Sequence, residues 1–245
     1  MSSFPADYRE RIETPAAGAI STGIATLDDM LGTGGLPRGR VVEIFGPPDC
    51  GKSTLALNWI AAAQTSGAAA VYVDAERSFD HEWAAACGVN LEQLVLLSPD
   101  SGSLALVMLE SLLRTFTVDL VVVDSAAALI SQEELETSLE DMPPELQTEF
   151  LSRALRRLQS LAERGRVSLL FLNQTRTWDR GGVMESAAGG RALILYSAIR
   201  ISVARTGSQL LLTTVKNKLG EPFRELTLEL HGPKALAAER RRPRS

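Results

Sequence analysis

The sequence predicts an α/β fold, a mostly parallel central sheet flanked by helices on both faces with an antiparallel C-terminal extension. Three observations predict it. Short, continuously apolar, β-branched runs recur through the first two thirds of the chain, and segments of helical composition separate them. After Ala192 the pattern changes to strand-like runs joined by short connections. Strands that alternate with helices are covered on both faces, whereas closely connected strands pair antiparallel.

In chain order, residues 1–19 carry Pro5 and Pro15, show no sustained period and read as a short arm. Residues 27–31 read as a helical turn closed by Gly32-Thr33-Gly34-Gly35. Residues 41–45 read as a strand ending in a Gly-rich loop, and 53–63 as a helix. A strand at 69–73, a helix at 81–87, a strand at 94–97 and a helix at 103–116 come next. The run 120–123 reads as a buried strand, 145–163 as a long amphipathic helix and 168–172 as another buried strand. The antiparallel extension is expected at 198–203, 209–215 and 225–230. These boundaries define a core at 20–232 and a basic, mobile tail at 233–245, with no internal repeat.

Composition narrows the classes. The 45% hydrophobic and 22% charged content is that of a globular chain with a sizeable core. No apolar run approaches the roughly 20 residues of a membrane span, and the N-terminus lacks a signal-peptide pattern. Cys50 and Cys87 are too few for a disulfide framework, and no Cys/His group has metal-ligand spacing, so a cytoplasmic location without a membrane partner is expected. The net charge of −5 excludes a polycation, so DNA binding would have to rest on local segments.

Gly46-Pro47-Pro48-Asp49-Cys50-Gly51-Lys52-Ser53 has the spacing of a P-loop, and the strand before it and helix after it are the context such a loop requires. Its backbone N–H groups, with Thr54 just beyond, would wrap phosphate oxygens at a helix N-terminus. Lys52 would reach the β- and γ-phosphates, and the Ser53 hydroxyl would ligate Mg²⁺, which makes ATP with Mg²⁺ the expected ligand. Asp124, ending Val121-Val122-Val123-Asp124-Ser125, would hold Mg²⁺ through its water shell; alternatively it caps the next helical segment.

Several further segments resemble the RecA family in residues and in order. They are Ile20-Ser21-Thr22-Gly23, the stretch from Leu31-Gly32 to Arg38-Gly39-Arg40, Glu43-Ile44-Phe45-Gly46-Pro47, Asp74-Ala75-Glu76, Val123-Asp124-Ser125, Asn173-Gln174 and Val215-Lys216-Asn217-Lys218. The resemblance spans about Ile20 to Leu230 and implies a RecA-like P-loop ATPase core. It implies that Glu76 is the general base orienting the attacking water and that Gln174 senses the γ-phosphate. Asp80 and Trp83 would hold the adenine, although Trp83 could equally be a core aromatic. Lys216 and Lys218, solvated strand-end charges by composition alone, would reach a neighbouring subunit's γ-phosphate, so an oligomer through the ATP interface is implied.

Three departures from the family pattern bear on function. Only 19 residues precede Ile20, too few for the family's N-terminal polymerisation helix, and the chain stops soon after Leu230, without the family's C-terminal domain. Between Arg114 and Arg153 there is no Lys or Arg, while Glu133, Glu134, Glu136, Glu140, Asp141, Glu145 and Glu149 all lie there. Such a segment repels a DNA backbone, or else simply solvates a loop and a helix start. Arg176, Trp178 and Arg180 beside Gly181-Gly182 could stack on and neutralise single-stranded DNA, or form an exposed loop.

The leading expectation is an ATP-dependent accessory factor of bacterial DNA repair and the damage response. It is similar to the ImuA proteins of translesion synthesis, with a RecA filament or a translesion polymerase subunit as partner. The alternative is a minimal single-stranded-DNA-dependent ATPase performing homologous recombination. A third class, RecA-fold regulators acting on proteins, has no motif of its own here.

Overall fold

In the computed structural model, residues 18–130, 144–179, 183–187 and 191–237 are described. The arm at 1–17, the acidic segment 131–143, Arg180 with Gly181-Gly182, and the basic end 238–245 lie outside the described residues.

β1 (Ala19–Ile20) and β2 (Leu36–Pro37) form a small antiparallel sheet, with α1 (Ala25–Leu31) between them in sequence. Then come β3 (Val41–Gly46), α2 (Lys52–Thr65), β4 (Ala70–Asp74), α3 (His81–Cys87), β5 (Val95–Leu97), α4 (Gly102–Leu113) and β6 (Leu120–Asp124). A 3-10 turn (Ala128–Ile130) leads to α5 (Pro144–Gly165), β7 (Ser168–Asp179), β8 (Val183–Ala187) and α6 (Arg191–Tyr196). The chain continues through β9 (Ile199–Thr206), β10 (Gln209–Asn217), β11 (Glu225–His231) and β12 (Lys234–Ala237).

The large sheet runs β12-β11-β10-β9-β3-β7-β6-β4-β5, with β8 paired to β7. From β9 through β3, β7, β6 and β4 to β5 every neighbouring pair is parallel, and from β9 to β12 every pair is antiparallel. The mixed α/β architecture is the one expected from the alternating apolar runs. Two differences stand out. Lys234–Ala237, assigned to the tail by its composition, pairs with β11 as a fourth antiparallel strand. The strand expected to stop near residue 172 continues to Asp179 and turns back through β8.

Side-chain alternation divides the sheet between two cores. Ala70, Tyr72, Leu120, Val122, Leu170 and Leu172 face the layer containing Leu55, Trp59 and Ile60 of α2. Val71, Val73, Val121, Val123, Leu169 and Phe171 face Leu109 and Leu113 of α4 and Leu151, Leu155 and Leu158 of α5. Burial on both faces explains why the parallel strands read as unbroken apolar runs.

An ion pair with a fully buried carboxylate interrupts this apolar interior. Glu43 on β3 is fully buried, accepts Asn173 Nδ2 at 2.8 Å and pairs with Arg200 of the adjacent β9. The Arg200 guanidinium also lies 4.5 Å from the Phe45 ring centroid. Removing one partner of a buried pair strands the other's charge, which costs more than the pair itself contributes. Arg200→Met is therefore expected to lower unfolding stability by about 3–5 kcal/mol in urea titrations, with Glu43→Gln in the same chain recovering part of the loss.

Candidate functional site

The parallel register brings four strand ends to one edge of the sheet. Gly46 at the end of β3 lies opposite Gln174 on β7, Leu172 of β7 opposite Asp124 on β6, and Asp124 opposite Asp74 on β4. The β3–α2 loop, Asp124, the turn containing Glu76, and Gln174 therefore meet there because of strand pairing rather than chain proximity.

Gly46 and Gly51 shape the loop. A Cβ at Gly46 would sit 2.3 Å from the Val203 carbonyl oxygen and 3.0 Å from Cys50 Sγ, so only glycine fits against β9. Gly51, with φ +96°, adopts a conformation that side chains resist just before α2 begins. Pro47, Pro48 and Asp49 are exposed at the tip, and Cys50 is buried beneath it. Lys52, 8% exposed as a residue, donates its ammonium to the Pro47 carbonyl at 2.6 Å and the Gly46 carbonyl at 3.2 Å. The exposed N-terminus of a 14-residue helix, with a lysine curled beneath the loop, offers backbone N–H groups and positive charge that suit an anion.

Asp124 turns toward α2 rather than capping the segment that begins at Ser125. Its Oδ2 accepts the Ser53 hydroxyl at 2.7 Å and the Tyr72 hydroxyl at 2.5 Å. Burial holds the Asp124 carboxyl above the usual carboxylate range and the Glu76 charge adds to this; the two hydroxyl donors and Lys52 oppose it. A desolvated carboxylate beside a helix-start hydroxyl suits a cation that keeps most of its waters and takes other oxygens from phosphate, as Mg²⁺ does. Among the described residues no cluster of three or more His, Cys, Asp or Glu could hold a metal alone.

Glu76 sits in a turn anchored at both ends. The Asp74 carboxylate, 4% exposed, accepts the backbone N–H of Ser78 at 2.9 Å and of Phe79 at 3.0 Å. The Asp124 carbonyl accepts Ala75 N–H at 2.8 Å and Glu76 N–H at 3.3 Å. Glu76 Oε1 then receives the Ser125 hydroxyl and, at 3.0 Å, the Gln174 amide. An exposed carboxylate held by two donors can orient a water.

Asp80 caps α3, its carboxylate accepting Trp83 N–H at 2.9 Å. Trp83 is 38% exposed and its indole donates to Thr54 Oγ1 at 3.1 Å, so it is a surface aromatic beside the loop and not a core residue. Arg176 and Trp178 lie on the β7 segment that pairs with β8; Arg180 lies outside the described residues.

Lys216 and Lys218 are not brought to this edge. Lys216 pairs with Arg200, which pairs with Glu43, three residues before Gly46 on β3. That is about 10 Å back along the strand direction, toward the opposite edge. There the Lys216 ammonium donates to the Ile194 and Leu195 carbonyls at the end of α6. Burial lowers its proton affinity, the charges of Lys218 and Arg200 add to this, and Glu43 opposes it.

Sequence reasoning passed over Tyr72, Ser125 and Asp74 as side chains of this site. For Tyr72 a signal was present: a lone hydroxyl in the buried strand Ala70-Val71-Tyr72-Val73-Asp74, on the same face as Asp74.

Comparison with known proteins bears on the whole arrangement. The RecA N-terminal domain family matches residues 10–235. Protein RecA of Chloroflexus aurantiacus is 40% identical over 238 residues, covering 91% of this chain and 67% of that protein. Protein RecA of Rubrobacter xylanophilus is 42% identical over 226 residues, covering 86% and 65%. The mitochondrial DNA repair protein recA homolog 3 of Arabidopsis thaliana is 43% identical over 232 residues, covering 89% and 54%. The alignments thus span between about half and two thirds of these relatives' lengths. With a P-loop, strand-end carboxylates and a glutamine gathered on one parallel edge, and a family match over most of its length, the chain belongs to the RecA family.

Proposed function

We propose that the protein is an ATP-binding, RecA-like factor of DNA repair or recombination whose nucleotide site works as a switch between copies of the chain. The observation that carries this reading is the meeting of Ser53 and Asp124, 2.7 Å apart, at the start of the loop helix. In this reading the backbone N–H groups from Gly46 to Ser53, with Thr54, hold the phosphates, and Lys52 exchanges its loop carbonyls for phosphate oxygens. Ser53 and, through water, Asp124 hold Mg²⁺, which supplies charge neutralisation at the β- and γ-phosphates. Glu76 orients the attacking water and accepts its proton, while Gln174 reports the γ-phosphate to the hairpin that begins on its own strand. Trp83, pinned to Thr54 and partly exposed, stacks on the adenine, and Asp80 accepts a hydrogen bond from it. Lys216 and Lys218, remote from their own loop, complete the site of a neighbouring copy.

The accessory role, similar to ImuA proteins and directed at a RecA filament or a translesion polymerase subunit, is the finer part of this proposal. The absence of Lys and Arg between Arg114 and Arg153, across seven named carboxylates, supports it, since cation-poor surfaces bind DNA weakly. The β7–β8 hairpin, which continues the strand bearing Gln174 and carries Arg176 and Trp178, favours the second reading, a single-stranded-DNA-dependent ATPase of recombination.

Lys52→Ala is expected to weaken ATP binding by roughly a hundredfold or more in equilibrium titrations, from the loss of charge-assisted bonds to phosphate; unchanged affinity would place the phosphates elsewhere. ATP turnover measured with and without single-stranded DNA, with particle mass from light scattering of the same samples, separates the two readings. Weak stimulation and small particles are expected for an accessory factor. Strong stimulation with long filaments would establish the recombinase instead.

A further inference from the structure

Tyr72 is the one aromatic hydroxyl of strand β4, and it is 3% exposed. Alternation along β4 puts its ring on the α2 face of the sheet, in register with Val122 on β6, one inward-facing step before Asp124. The ring is braced edge-on by Phe79, centroid to centroid 4.9 Å, and the hydroxyl ends 2.5 Å from Asp124 Oδ2. The same oxygen accepts the Ser53 hydroxyl at 2.7 Å.

A tyrosine placed only to fill this layer would need no hydroxyl. Burying the oxygen costs free energy unless it finds a partner. Here the partner is the carboxylate at the proposed Mg²⁺ position. A serine hydroxyl that gives its proton to a carboxylate keeps its lone pairs for a cation. The three groups therefore form a relay, in which Tyr72 fixes Asp124, Asp124 fixes the Ser53 proton, and the Ser53 lone pairs are left for the ion. Mg²⁺ tolerates little departure from octahedral geometry, so an unfixed carboxylate binds it or its waters less well.

We infer that Tyr72 is a positioning residue for the Mg²⁺ site, holding Asp124 and, through it, Ser53 in the orientation that receives the ion. This assignment rests on the nucleotide reading proposed above and adds a residue to it. Tyr72 acts from behind the carboxylate and touches neither nucleotide nor metal.

The test monitors binding of a fluorescent ATP analogue while Mg²⁺ is titrated, for the unaltered protein, Tyr72→Phe, Ser53→Ala and the double variant. Tyr72→Phe keeps the ring and its contact with Phe79. It is expected to raise the Mg²⁺ concentration at half-saturation about tenfold, as removal of a group that orients a ligand does, with metal-free nucleotide binding and the circular-dichroism spectrum unchanged. Because part of the Tyr72 effect passes through Asp124 to Ser53, the double variant should shift by less than the two single shifts combined. A Tyr72→Phe half-point within about twofold of the unaltered protein would overturn the assignment, and so would fully additive shifts in the double variant. Loss of the fold on removing this one oxygen would also overturn it, by making the hydroxyl a folding element. If the unaltered protein itself shows no Mg²⁺-dependent binding of the ATP analogue, the nucleotide reading fails, and that result is separate from equality between the two proteins.

Discussion

The parallel register of β3, β7, β6 and β4 is the constraint on which everything else at the site depends. It sets Gly46 against Gln174, Leu172 against Asp124 and Asp124 against Asp74, so residues far apart in sequence finish at a common edge. A slip of one residue in any pair would send that strand's side chains to the opposite core. The cost of such a slip is set by the apolar layers, since Val122 and Leu172 would exchange faces with Val123 and Phe171. Packing that has nothing to do with chemistry therefore fixes the geometry of the chemical groups.

Polar contacts extend this order away from the edge. Asn173 receives the backbone N–H of Gln174 at 2.9 Å and donates to buried Glu43, which pairs with Arg200; Arg200 lies beside Lys216 in the β9–β10 register. The proposed γ-phosphate sensor and the proposed trans-acting lysine are thus joined by contacts across four adjacent strands. Contiguity of this kind is a physical route and not by itself a measure of coupling. At its far end Lys216 is held by the last carbonyls of α6, the helix nearest in sequence after the β7–β8 hairpin. A neighbour's phosphate would compete with those carbonyls for the same ammonium.

The fold was legible in the sequence where burial was two-sided. β3, β4, β6 and β7 are continuous apolar runs because both faces are covered, and the helix expected at 81–87 is α3, which the structure shows capped by Asp80 and stopped at Gly88. Elements too short to show a period were not legible. β12 is a Lys-Ala-Leu-Ala segment held by pairing with β11, and α6 is a six-residue helix. The P-loop could be found because its glycines answer to backbone geometry, which sequence spacing records. Tyr72 offered only a lone hydroxyl on a buried face, and the partner that gives it meaning lies 52 residues away. The placement of Lys216 away from its own loop was not legible, being a consequence of strand direction.

In the proposed mechanism one copy's Glu76 works with another copy's Lys216 and Lys218. Mixing Glu76→Gln protein with Lys216→Ala/Lys218→Ala protein, each inactive alone, and measuring ATP turnover with single-stranded DNA present tests it most directly. Random assembly of equal amounts gives about a quarter of the interfaces an intact glutamate facing intact lysines, so turnover should recover to about a quarter of the unaltered protein's rate. A mixture no more active than its separate components would contradict a site shared between copies.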